Sequence, residues 1–115
     1  MNNHTPINYI ELPANNLDTI KSFYNNAFDW KFTDYGAEYT AFENSGVLGG
    51  FYLSGLKADA DAGSALVVLH TSNLETCKET VLKCGGVIKT DIFSFPGGRR
   101  FHFLDPCGNE LAVWS

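Results

Sequence analysis

Basic residues and cysteines are scarce in this sequence, and it contains no long apolar run. The chain has 8 Lys or Arg against 13 Asp or Glu in 115 residues, for a net charge of −5. An acidic chain without a basic cluster does not suit nucleic acid, and its charge mildly favours cationic ligands. No apolar segment approaches the roughly 20 residues of a membrane span, and the first residues do not resemble a signal peptide. We expect a cytoplasmic protein with no nucleic-acid or membrane partner.

The three cysteines give no sign of a disulfide or a zinc site. Their number is odd, and no pair has the Cys-x-x-Cys spacing of zinc and redox motifs. Cys77 and Cys84 are predicted to be small buried residues of a helix, whereas Cys107 is predicted to lie in an exposed turn.

Two segments of the sequence recur in the same order. Residues 16–21 resemble residues 73–78, and residues 42–51 resemble residues 104–113. Repeats in one order indicate two copies of a unit of about fifty residues, which is too small to hold a core alone. Chance similarity between two amphipathic helices is the alternative.

The repeats predict how the domain is organised. We expect a single domain over residues 1–115, made of one repeat at 5–54 and a second at 64–115. The polar segment 55–63, rich in Ala, Asp and Gly, is predicted to be the linker between them and the most mobile part of the chain.

The spacing of apolar residues predicts the order strand, helix, strand, strand, strand in each repeat, and therefore an α+β fold. Pro13 is expected to end the first strand. The predicted strands span residues 7–12, 30–33, 38–43, 47–53, 65–69, 87–93, 99–104 and 109–114.

Polar residues mark the start of both predicted helices. Asn15 or Asn16 is expected to cap the first helix. Ser72 and Glu75 have the spacing of a capping box, which predicts that the second helix starts at Asn73.

A tight turn is predicted before the last strand. Asp105 and Pro106 favour the first two positions of a type I turn, and Gly108 tolerates the positive φ that follows. The chain is therefore expected to close in a β-hairpin.

Two β-α-β-β-β units that end in an Asp-Pro-x-Gly-Asn hairpin resemble the vicinal oxygen chelate superfamily of glyoxalases, extradiol dioxygenases and bleomycin- and fosfomycin-resistance proteins. The run from Ser94 to Phe103 resembles the glyoxalase-like bacterial branch of that superfamily. The resemblance implies two curved mixed sheets around a cleft for a small molecule, usually completed across a homodimer.

The resemblance also implies where a divalent metal would be held. Enzymes of the superfamily use a His or Glu on the first strand of each unit and a Glu on the last strand. The matching positions here are Tyr9, Leu66, Gly50 and Ala112, none of which is a metal ligand. We therefore expect no metal cofactor at the usual site.

Other polar side chains remain as candidates for acid–base chemistry. Glu11, His70 and Glu110 lie on strands whose alternation could bring them together, and His102 is a fourth candidate. Each of these side chains could instead be a surface residue without a catalytic role, because glutamates at strand ends and isolated histidines are often only solvated.

Aromatic side chains are numerous for a domain of this size. Tyr9, Phe51, Phe95 and Trp114 are candidates for stacking a planar or cationic ligand. Packing in the core would explain them equally well.

Three functions follow from these features. The first is a glyoxalase-like protein that binds a small molecule in an aromatic cleft without the usual metal. The alternative is a lyase or isomerase, similar to lactoylglutathione lyase, that acts on a small carbonyl or thiol adduct. The third is a structural or partner-binding domain without a ligand.

A homodimer is predicted from the faces that four-stranded sheets leave open. Leu66, Val68, Phe51, Ala112 and Trp114 would form an exposed apolar patch in a monomer whose units did not pack face to face. A second copy related by a twofold axis would cover that patch.

Overall fold

A computed structural model describes residues 4–115, and it has the predicted α+β architecture. Each half consists of one helix and a four-stranded mixed sheet. Strands β1 to β4 are Tyr9–Ala14, Lys31–Asp34, Tyr39–Glu43 and Leu48–Leu53, with helix α1 at Leu17–Phe28. Strands β5 to β8 are Val67–His70, Val87–Phe95, Gly98–Leu104 and Glu110–Trp114, with helix α2 at Leu74–Lys83. Neither helix is long and apolar enough to cross a membrane, as far as residues 4–115 show.

The two sheets have the same strand order. Sheet 1 runs β1-β4-β3-β2, and sheet 2 runs β5-β8-β7-β6. In each sheet the first strand pairs parallel with the last, and the other pairs are antiparallel. The predicted order of elements is thus confirmed in both halves.

Strand β1 extends further than the sequence predicts. Pro13 does not end it, because the strand continues to Ala14. Proline has no backbone N–H to donate, so it fits an edge strand, and β1 pairs only with β4. The other strand limits shift by one or two residues, and β5 begins after Leu66.

Asparagine caps both helices. The Oδ1 atom of Asn16 accepts from the N–H of Thr19, and that of Asn73 accepts from the N–H of Thr76. The predicted capping box at Ser72 is therefore wrong by one residue. The glutamate of that predicted box, Glu75, accepts hydrogen bonds from Arg99 instead.

One aromatic core joins the two halves of the chain. Trp30 stacks between Tyr24 and Phe42, with ring centroids 4.5 and 4.6 Å away. Phe23 of α1 reaches Phe103 of sheet 2 at 5.9 Å. Helix α1 therefore packs against both sheets.

The turn before β8 is closed by a hydrogen bond from Gly108 N to Asp105 O of 2.9 Å, and Gly108 has a φ of 87°. This confirms the predicted turn. The burial of Cys107, however, contradicts its predicted exposure. Its Sγ lies 3.7 Å from the carbonyl oxygen of Asn16, because the turn packs against the start of α1.

Asp105 is the centre of a buried hydrogen-bond network. Its carboxylate accepts from Tyr24 Oη at 2.8 Å, Cys107 N at 2.9 Å, Asn109 N at 3.1 Å and Asn109 Nδ2 at 3.0 Å. Burial raises the pKa of Asp105, and these donors oppose that rise. Burial and the neighbouring Asp105 raise the pKa of Tyr24 well above its usual range.

Asn109 extends this network to the rest of the chain. Its Nδ2 donates to Pro13 O at 2.7 Å, and its Oδ1 accepts from Ala58 N at 2.8 Å. The predicted linker, residues 55–63, is thus hydrogen-bonded to the residue before β8. It contains a short 3-10 turn at Ala60–Ala62. One turn therefore fixes β1, α1 and the connection between the halves.

The patch expected to cause dimerisation is only partly exposed. Phe51 and Ala112 are fully buried, so they cannot belong to it. Phe51 packs in the aromatic core, and Ala112 lies on a central strand of sheet 2. Val68 does remain exposed.

We expect Asp105→Ala to lower the free energy of unfolding by about 2–4 kcal/mol, because buried N–H and hydroxyl donors lose their acceptor. Urea denaturation measures the loss. Glu79→Ala is the control, since this carboxylate lies on the exposed surface of α2 and its removal should change stability by no more than about 0.5 kcal/mol. Equal effects of the two substitutions would contradict the central role of Asp105.

Candidate functional site

The polar and aromatic candidates of the second half gather on one face of sheet 2. Alternation along β7 sends Phe101 and Phe103 into the core and Arg100 and His102 to the opposite side. We call that side the non-core face. Cross-strand neighbours on this face form two rows. The first row consists of Phe93, Arg100, Trp114 and His70. The second row consists of Thr90, His102, Ala112 and Val68.

Glu110 is a buried carboxylate with two side-chain partners on this face. It is 5% exposed, its Oε2 lies 2.9 Å from His102 Nδ1, and its Oε1 accepts from Lys89 Nζ at 2.6 Å. Burial alone would raise the pKa of Glu110, but the hydrogen bonds from Lys89 and His102 outweigh it and lower that pKa. Hydrogen bonds to Asp61 and Glu110 raise the pKa of Lys89. The carboxylate is thus held ionised.

The two ring nitrogens of His102 have different surroundings, and only Nδ1 contacts Glu110. Its Nε2 is buried and has no hydrogen-bond partner among residues 4–115. When Nδ1 carries the proton and donates it to Glu110, Nε2 becomes an oriented acceptor. A carboxylate–imidazole pair of this kind can position a base.

One carboxylate of sheet 2 and two of the segment 55–63 have the spacing of a cation site. Ligand atoms of Asp59, Asp61 and Glu110 all lie within 4.8 Å of one another. The ammonium of Lys89 already lies among them, 2.8 Å from Asp61 and 3.9 Å from Asp59. A side chain of the protein therefore supplies the positive charge that a metal ion would bring.

A small cavity opens on the non-core face of sheet 2. Val68, Phe95, Gly97, Arg100 and Trp114 line a space of about 210 Å³. Drug-sized ligands occupy roughly 300–1,000 Å³, so this cavity suits a small fragment.

Sheet 1 carries a separate cluster of polar side chains. The hydroxyls of Tyr9 and Tyr39 are 2.6 Å apart, and Tyr39 Oη donates to Glu11 Oε2 at 2.9 Å. Burial, with the hydrogen bonds to Tyr9 and Glu11, raises the pKa of Tyr39.

The sequence profile of the Glyoxalase/Bleomycin resistance protein/Dioxygenase superfamily matches residues 6–113. The chain belongs to this superfamily. A search of curated proteins finds no match. The family expected from the sequence is therefore confirmed.

Solved structures of the superfamily share the fold at low sequence identity. A glyoxalase-related enzyme from Fulvimarina pelagi is 16% identical, with a TM-score of 0.79 over 96% of this chain and 88% of that one. The fosfomycin resistance protein FosX from Listeria monocytogenes is 13% identical, with a TM-score of 0.79 over 96% and 93%. Lactoylglutathione lyase from Agrobacterium tumefaciens is 16% identical, with a TM-score of 0.70 over 98% and 95%.

The positions that match the superfamily's metal ligands do not fit a metal here. Tyr9, Leu66, Gly50 and Ala112 offer no imidazole or carboxylate. A Cβ atom at Gly50 would collide with the hydroxyl of Tyr39, so that ring fills the space into which a longer side chain would extend.

The other predicted site residues lie in three places. Glu11 and Tyr9 belong to the cluster on sheet 1, whereas Glu110 and His102 are paired on sheet 2. His70 packs edge-on against Trp114, with ring centroids 4.8 Å apart. No hydrogen bond or ion pair joins Glu11, Glu110 and His70 among residues 4–115, and Glu11 accepts from Tyr39 instead.

Sequence reasoning did not select several residues of these clusters, among them Tyr39, Lys89, Phe93 and Arg100. Alternation from His102 would have found Arg100, because the two residues lie on the same face of β7. Lys89 and Phe93 lie on an irregular strand, where β6 shifts its register against β7 between Ile88 and Thr90 and again before Phe93.

We expect Lys89→Met to raise the pKa of Glu110, because burial is then no longer opposed by the ammonium. In the wild type, the folded pKa lies below the ordinary value of 4.5. The ionised Glu110 therefore stabilises the folded protein above about pH 4.5. This contribution is lost as the pH falls through the lower pKa that Glu110 has in the folded state.

Carboxyl-carbon NMR titration of Glu110 measures this change. Lys78→Met is the control, because Lys78 pairs with the exposed Asp91 at 2.7 Å on another part of the surface. A Glu110 titration unchanged by Lys89→Met would show that the ammonium does not hold the carboxylate ionised.

Proposed function

We propose that the chain is a small-molecule-binding member of the superfamily that needs no metal at the usual positions. The side chains at Tyr9, Leu66, Gly50 and Ala112 carry this proposal, since none is a metal ligand. Tyr39 adds support, because its ring lies over Gly50.

The non-core face of sheet 2 is the proposed binding surface. Phe95 and Trp114 provide apolar walls for the small cavity, and Arg100 provides a polar group. A few polar groups within apolar walls are typical of small-molecule sites. Phe51 is not part of this surface, because it is buried in the core.

Metal analysis and ligand binding with and without EDTA test the proposal together. We expect less than one equivalent of Ni, Zn, Mn or Fe in the purified protein. Small aromatic compounds should shift the indole N–H resonance of Trp114, and EDTA should not change these shifts. Trp30 is the internal control, because its ring is buried in the core. Stoichiometric metal, or binding that EDTA abolishes, would contradict the proposal.

A lyase or isomerase is the second candidate, and the Glu110–His102 pair favours it. His102 Nε2 could take the C–H proton from the carbon next to a carbonyl and return it to the carbonyl carbon, while the hydroxyl proton of the first carbon passes through solvent to the former carbonyl oxygen and Glu110 orients the ring. Both protons are conserved in this step, so no oxidant or reductant is needed.

Turnover of thiol hemiacetals of small 2-oxoaldehydes tests this second function. We expect Glu110→Gln to lower kcat by roughly a hundredfold if the pair is the base, the lower end of what a general base contributes. Glu79→Gln should keep the wild-type rate. Equal rates for Glu110→Gln and wild type would remove Glu110 from the mechanism.

We also propose a homodimer, on a smaller exposed surface than the sequence suggested. Tyr9 and Leu48 lie side by side on sheet 1 and are 44% and 51% exposed, and Val68 on sheet 2 is 42% exposed. A second copy that covered these side chains would remove apolar surface from water.

A further inference from the structure

Arg100 is a partly buried cation without a carboxylate partner. It makes no hydrogen bond or ion pair with another residue in the range 4–115, and its Nε is buried without an acceptor. Buried donors in proteins are nearly always paired, so this guanidinium has unused capacity to bind.

The neighbouring arginine shows the contrast. Arg99 points to the other side of β7, where its Nη1 and Nη2 donate to Glu75 at 2.7 and 3.1 Å. The chain thus neutralises Arg99 and leaves Arg100 available.

Aromatic rings hold the Arg100 guanidinium in place. Its Cζ lies 5.3 Å from the ring centroids of both Phe93 and Phe95 on the adjacent strand. Trp114 lies opposite Arg100 on the other adjacent strand. Cation–π contacts fix the position of the charge without neutralising it, because an aromatic ring carries no net charge.

The cavity brings the charge and the aromatic walls together. Arg100, Phe95 and Trp114 all line the space of about 210 Å³. A guanidinium matches the geometry of a carboxylate with two parallel hydrogen bonds. A flat, anionic molecule of about one ring would use both features.

We propose that this cavity binds a small aromatic carboxylic acid, with the carboxylate on Arg100 and the ring against Phe95 and Trp114. This inference rests on the proposed small-molecule function of the same face. It also reverses the expectation from composition, because the local positive charge of Arg100 outweighs the net charge of −5 at this short range.

Three matched probes separate the contributions of charge and ring. Sodium benzoate, the neutral benzamide and the ringless sodium acetate are titrated at equal ionic strength, with the Trp114 indole N–H as the reporter. We expect benzoate to bind about tenfold more tightly than either of the others, since each lacks one of the two contacts. Trp30 should report no change and shows that the core is intact.

Two adjacent variants locate the anion contact. Arg100→Gln should remove the preference for benzoate over benzamide, whereas Arg99→Gln, with the same loss of charge, should keep it. Arg100→Lys keeps the positive charge but not the planar guanidinium, so it should reduce the preference for benzoate over benzamide.

The outcomes distinguish this inference from the proposed function. If benzamide and benzoate bind equally, or if Arg99→Gln removes the preference as fully as Arg100→Gln, the anion site is overturned while the small-molecule function stands. If acetate binds as tightly as benzoate, the aromatic part of the inference is wrong. If no probe shifts the Trp114 resonance, the inference and the proposed binding face both fail.

Discussion

The buried carboxylate of Asp105 is the contact on which the arrangement of the two halves depends. It closes its own turn through Cys107 and Asn109 and reaches the hydroxyl of Tyr24 in the other half. A buried charge is tolerated only where donors surround it, so the turn and α1 must keep this relative position. Asn109 adds bonds to Pro13 and Ala58, which bring the first strand and the connection to the same point.

Strand β8 leaves this fixed turn and carries the candidate site. Glu110 is its first residue, and Trp114 is its last. The candidate side chains are therefore placed by a strand whose start is held by the buried network of Asp105 and Asn109. Groups placed on rigid elements keep their geometry better than groups on loops.

Two contacts characterise the polar groups of the candidate site and of sheet 1. Lys89 supplies a positive charge beside Glu110, and the Tyr39 ring fills the space above Gly50. Solved structures of 13–16% identity share this architecture. Function in such a fold is decided by the site and not by the architecture.

The sequence by itself determined the order of elements and the turn at Asp105, because local patterns and residue types decide these features. It also placed Glu110 and His102 among the candidates. Tertiary structure alone decided that Cys107 and Phe51 are buried, that Lys89 reaches Glu110, and that the Nε of Arg100 is buried without a partner among residues 4–115. These depend on contacts between distant residues and on the irregular register of β6 against β7. A bulge changes which side chains face each other, and no local pattern reveals it.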